Sequence, residues 1–95
     1  MTTTEHLLTI LAEECNEVAH RCSKALRFGL SEIQKGQDLT NRDRIQLELC
    51  DLLAVVQMLR EKLVLNDLSQ IVMDVKKNNV QVHLKYSKEL GTLKD

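Results

Sequence analysis

The sequence predicts an all-α protein: an antiparallel bundle of two long and two shorter helices, completed by oligomerisation. Three observations predict it. The 95 residues contain no proline and only three glycines, Gly29, Gly36 and Gly91, so long stretches carry no helix breaker. Apolar residues recur at three- and four-residue steps, the period of one helix face. One Phe, one Tyr and no Trp leave a thin core of short side chains. At this length, self-association is a common remedy for such a core.

The first helix is expected over about 4–28. Thr2 and Glu5 fit a capping box, and Gly29 can stop the helix at its far end. Between them Leu7, Leu8, Leu11, Cys15, Val18, Cys22, Ala25 and Leu26 draw an apolar stripe. Residues 30–39, polar around Gly36, read as a loop. The second helix is expected over 41–65, capped by Thr40 with Asp43 in its first turn. Its stripe is Ile45, Leu49, Leu52, Leu53, Val56, Leu59 and Leu63, and Asn66–Asp67 marks its end. A third helix over 68–77 carries Ile71, Val72 and Val75 inward, and Asn78–Asn79 interrupts it. A fourth, over 80–90, carries Val82, Leu84 and Tyr86 and stops at Gly91, leaving a frayed tail. Two long helices joined by a turn-rich loop pack antiparallel within a single domain.

Charge and composition narrow the function. A net charge of −1 argues against a basic nucleic-acid surface and gives no pull toward anionic membranes. No run of 18 apolar residues and no leader pattern is present, so the expected setting is soluble and cytoplasmic. Cys15, Cys22 and Cys50 lie inside apolar-periodic stretches and are odd in number. They read as reduced, buried thiols rather than a disulfide framework. His6, His20 and His83 show no metal-ligand spacing, and Phe28 and Tyr86 read as core residues rather than base-stacking platforms.

The acids carry the chemical signal. Glu14 and Glu17 are three apart on the first helix, Glu48 and Asp51 three apart on the second, and Glu13 adds a fifth carboxylate. At that spacing both members of a pair point the same way and repel. Each pair borders an apolar stripe near mid-helix, so antiparallel packing can bring the two pairs level. Oxygen ligands in that arrangement suit a hard divalent cation. The bland reading of one such pair is a solvated helix face. Two pairs on adjacent long helices, each beside a buried stripe, weigh against it.

The pattern Glu13-Glu14-Cys15-Asn16-Glu17 followed by Glu48-Leu49-Cys50-Asp51, EExxE then ExxD, resembles the MazG-like group of the all-α nucleoside triphosphate pyrophosphohydrolases. The segments LAEECNEVAHRCSKALRFG and ELCDLLAVVQML are similar to that family's two motif helices, and the resemblance covers roughly residues 7–63. The thirty residues between Glu17 and Glu48 make a long spacing for that group, enlarging the 30–39 loop. The resemblance implies a helical homodimer or homotetramer with a nucleotide pocket near the subunit interface. It implies Mg²⁺, with Mn²⁺ as an alternative, held by Glu14, Glu17, Glu48 and Asp51, with Glu13 as an outer ligand or water-orienting group. It also implies cleavage of a (d)NTP between the α- and β-phosphates, giving a nucleoside monophosphate and pyrophosphate. Lys24 and Arg27 follow the first acids and can meet phosphate; a helix end favouring cations is the bland alternative. Lys76, Lys77 and Asn79 are further phosphate candidates. The competing reading is a helical oligomer that binds nucleotides or a protein partner without turnover.

Overall fold

A computed structural model of the chain describes residues 1–95 and holds three α-helices and no strand. Helix α1 spans Thr3–Phe28, α2 spans Asn41–Glu61 and α3 spans Gln70–Leu90. The all-α class agrees with the sequence, but the four-helix count does not, because the third and fourth expected helices are one. Helix α3 runs unbroken through Asn78–Asn79. Two asparagines in an exposed helix cost only a few tenths of a kcal/mol each, and neither lacks an N–H as proline would. Its N-cap is Ser69, whose hydroxyl accepts the Val72 N–H at 3.2 Å.

The caps of the hairpin follow the sequence. Thr2 Oγ1 accepts the Glu5 N–H at 3.1 Å and donates to Glu5 Oε1 at 3.2 Å. Thr40 Oγ1 accepts the Asp43 N–H at 3.1 Å. Helix α2 stops at Glu61, four residues before the expected Leu65. Leu63 there takes a left-handed conformation at φ 60°, and the Val64 and Leu65 N–H groups both return to the Leu59 carbonyl. The stripe position expected of Leu63 is therefore lost, and the residue is exposed. The tail is not wholly frayed either. The Thr92 and Leu93 N–H groups donate to the Ser87 carbonyl, past Gly91 in the left-handed region.

Helices α1 and α2 form an antiparallel hairpin. At its open end Leu7, Val55 and Leu59 make the buried core, with Ile10, Leu11 and Leu65 packed on it. At its closed end Asn41, almost wholly buried, gathers the loop. Its Nδ2 donates to the Gly29 carbonyl at 2.8 Å and to Glu32 Oε1 at 3.1 Å. A bridge between Ile33 and Thr40 completes the turn.

Helix α3 packs against neither α1 nor α2, and none of its residues is buried. One chain is thus a hairpin with a detached arm, and not the bundle the apolar stripes predict. Cys15, Cys22 and Cys50 are exposed rather than buried, and Phe28 and Tyr86 are exposed rather than in the core. Cys15, Cys22 and Tyr86 lie on their helices' apolar stripes, with no element of the same chain over them, whereas Cys50 and Phe28 fall beside the stripes of α2 and α1.

Candidate functional site

The hairpin seam can be read residue by residue. On α1 it comprises Thr4, Leu7, Leu11, Glu14, Val18, Arg21 and Ala25; on α2 it comprises Asn41, Ile45, Glu48, Leu52, Val55 and Leu59. Every one of these is buried or half-buried, and the steps alternate between three and four, the spacing of a coiled-coil seam. Glu14 and Glu48 therefore occupy seam positions themselves, where an apolar side chain is the rule, rather than bordering the seam. Asp51 stands beside Glu48, exposed.

These three residues converge. One carboxylate oxygen from each of Glu14, Glu48 and Asp51 lies within 4.8 Å of the others. The Glu14 carboxyl is held above the ordinary glutamate range. Desolvation at the seam is the largest cause, followed by the charges of Asp51, Glu48, Glu17 and Glu13. Its Oε2 is shut off from solvent with no hydrogen-bond partner. No lysine or arginine pairs with any of the five acids: the only ion pairs are Arg60–Asp67 at 3.7 Å and Lys77–Asp74 at 4.0 Å.

Glu13 and Glu17 are exposed and lie outside the converging trio, although their charge reaches Glu14. Lys24 and Arg27 sit over the Phe28 ring, with Nζ 5.7 Å and Cζ 5.0 Å from its centroid. Lys76, Lys77 and Asn79 are on α3, which does not touch the hairpin. Three of the five acids thus come together within one chain, and the phosphate candidates lie elsewhere.

Two residues emerge only in the structure. Asn41 holds the loop that sets α2 against α1, so it fixes the level at which Glu48 meets Glu14. Arg21 occupies the seam two turns beyond Glu14, with a buried Nε lacking any hydrogen-bond partner. Its signal was present in the sequence, since it continues the three-and-four spacing through Glu14 and Val18. A carboxylate cluster with an unpartnered oxygen and no internal counter-cation has the donor set and the unmet charge that a hard divalent cation would satisfy. No helix is long and apolar enough to cross a membrane. Comparison with protein families, curated proteins and solved structures finds no match to this chain.

Proposed function

We propose that this protein is a metal-dependent nucleoside triphosphate pyrophosphohydrolase of the MazG-like kind. The observation that carries the reading is the meeting of Glu14, Glu48 and Asp51 at the hairpin seam, without a cation of the chain's own to balance them. Glu14, Glu48 and Asp51 would hold the ion, with Glu17 one turn along α1 as a further ligand. When bound, Mg²⁺ or Mn²⁺ supplies charge neutralisation for the triphosphate and lowers the pKa of water.

The remaining work falls to the chain. A water attacks the α-phosphorus, the bond from that phosphorus to the bridging oxygen breaks, and pyrophosphate leaves. Glu13, exposed beside Glu14, accepts the proton the water releases. Lys24 and Arg27, two to three turns beyond Glu17 on α1, would offer positive charge to a triphosphate tail from the same or a neighbouring subunit. Lys76, Lys77 and Asn79 are out of reach of the acids in their own chain, so they serve a nucleotide only at the site of another copy. The cytoplasmic, self-associating enzyme this describes takes nucleotides as substrate, with nucleic acid and membrane outside its partners.

The test is release of pyrophosphate and monophosphate from a (d)NTP panel with Mg²⁺ or Mn²⁺, beside Glu48→Gln. Turnover in the wild type and its loss in the variant support the reading. Nucleotide binding with no release under either ion rejects it in favour of a non-catalytic helical oligomer.

A further inference from the structure

We infer that Arg21 and Arg44 form a clamp for the diphosphate end of the substrate, on the closed-end side of the carboxylate trio. The antiparallel register supplies the pairing. Glu14 meets Asp51, so a step of seven residues toward the closed end on each helix brings Arg21 level with Arg44. Seven residues are two turns, and each arginine stays within about 20° of the acid it follows. The two arginines therefore share the side of the hairpin that carries the acids. Both are half-buried, whereas Arg27 and Arg42 are exposed. Neither is neutralised by its helix. Glu17 lies one turn before Arg21 and Glu48 one turn after Arg44, spacings at which helical ion pairs form. Neither pair is made, since the ion pairs of the chain are elsewhere.

The donors are free as well. Arg21 Nε is shut off from solvent with no hydrogen-bond partner. Arg44 uses one donor, Nη1, on Gln34 Oε1 at 3.2 Å. A guanidinium has five N–H donors in a fork that fits phosphate oxygens in pairs. The surrounding charge agrees. Residues 18–47 carry six Lys/Arg against three Asp/Glu, net +3, while 1–17 and 48–61 together carry one against seven, net −6. A cation belongs at the acids and an anion at the closed end. The two levels are about 10 Å apart along the axis, and the Cα–Cβ bond of Arg21 tilts toward the acids. A divalent ion reaches a phosphate oxygen at about 2 Å and a guanidinium at about 3 Å, so a phosphate chain spans the interval. The α-phosphate then sits at the acids and the β- and γ-phosphates at the arginines. When the bond to the bridging oxygen breaks, its electron pair passes to the diphosphate, and the arginines meet the charge that develops there. Three phosphates are thereby favoured over two. The choice of ligand rests on the pyrophosphohydrolase reading; the anion site rests on the two arginines.

Calorimetric titration of the full chain with inorganic pyrophosphate in magnesium buffer tests the clamp without turnover. Arg21→Gln and Arg44→Gln are each expected to weaken binding at least about tenfold, with circular dichroism confirming that the helices are formed. Arg21→Lys keeps the charge, loses the fork and is expected in between. Arg42, one place after the seam at Asn41, lies on the opposite face. Arg42→Gln removes the same charge and is expected to hold affinity within about twofold. Nitrogen–proton NMR on the wild type gives a readout free of mutation: the Nε–H signals of Arg21 and Arg44 shift on adding pyrophosphate, and that of Arg42 does not. A wild type that fails to bind pyrophosphate overturns the inference, as does undiminished binding in either glutamine variant. Equal weakening by Arg42→Gln also overturns it, since net charge alone would then be at work. Turnover of (d)NTPs with unchanged pyrophosphate affinity in the variants rejects the clamp and leaves the enzyme reading. Arginine-dependent binding without turnover keeps the clamp and rejects the enzyme.

Discussion

Helices α2 and α3 are equal in length, 21 residues each, and both are capped by a hydroxyl side chain, Thr40 and Ser69. Helix α2 buries Asn41, Val55 and Leu59; α3 buries nothing. The difference lies in the connections that precede them. The loop before α2 is tied from three sides: Asn41 Nδ2 to Gly29 and Glu32, the Asn41 N–H to the Glu32 carbonyl at 3.0 Å, and the Arg42 N–H to the Leu30 carbonyl at 3.0 Å. Those bonds fix the return angle and lay α2 along α1. The segment before α3 is tied only at its start, where the Val64 and Leu65 N–H groups return to the Leu59 carbonyl and Leu65 packs on the core; beyond Leu65 the Arg60–Asp67 pair at 3.7 Å, with Asp67 almost fully exposed, contributes little. Local signals make a helix, but a fastened turn decides what the helix is pressed against.

The largest expected effect probes the pressed side. Leu59 has no exposed surface, and Leu59→Ala should cost about 2–5 kcal/mol, as large-to-small core changes do. The core is three residues, so the variant should show a thermal unfolding midpoint far below the wild type. The matched change Ile71→Ala in dilute protein should leave the midpoint of hairpin unfolding where it was. Equal losses from both would mean that α3 is packed as firmly as α2.

Asn41→Ala comes next, at about 1–3 kcal/mol for stranding buried groups that had partners. Because Asn41 sets the return of α2, this variant should also loosen the carboxylate trio. Hydrogen exchange should show faster amides across the loop and the first turns of α2, with the end of α1 following. A variant that loses stability only at the open end would break the link drawn here between the loop and the hairpin's register.

Much of this was legible in the sequence, and the failures have a common cause. Thr2, Thr40, Gly29 and Gly91 act within a turn of their own position, and each behaves as its residue type dictates. The break expected at Asn78–Asn79 failed because helix propagation outweighs two mildly unfavourable residues when no backbone donor is missing. Cys15, Cys22 and Tyr86 lie on real apolar stripes. Whether a stripe is covered depends on where a distant element goes, and that is not a local property. The acids stand between these cases. Their shared faces were readable from spacing, yet the placement of Glu14 and Glu48 in the seam itself required the alternating steps of both helices to be aligned.

A smaller effect tests the turn that lets the arm go free. Leu63 holds φ 60° with its side chain 88% exposed. Gly91 ends α3 at φ 80°, a conformation that costs a glycine nothing sterically. For a leucine the left-handed region costs about 1–2 kcal/mol, partly offset by the extra chain freedom a glycine loses on folding. Leu63→Gly should therefore stabilise the hairpin by up to about 1 kcal/mol, read as a higher denaturation midpoint. A lower midpoint would show that the exposed leucine is covered in solution, as it would be if the arm lay across the end of α2.

The smallest change expected in metal-free protein concerns pH, and its sign distinguishes a strained acid from a contented one. Glu14 has a folded-state pKa above its ordinary value, through desolvation and the neighbouring carboxylates. The folded chain thus holds this proton more tightly than the unfolded chain does. The stability Glu14 contributes is fully present below its unfolded pKa and is lost as pH rises through the higher folded one. Glu14→Gln removes that loss. The variant-minus-wild-type difference in thermal midpoint should grow in the variant's favour between about pH 4 and pH 7. Subtracting the wild-type profile cancels the titration of groups that both proteins share. Adding Mg²⁺ should raise the wild-type midpoint at neutral pH and leave the variant's nearly unmoved, because the repulsion a cation relieves is the repulsion the substitution has already taken away. A difference that shrank toward neutral pH would mean that Glu14 is better accommodated as a carboxylate than as an acid, and the seam would then hold no unmet negative charge.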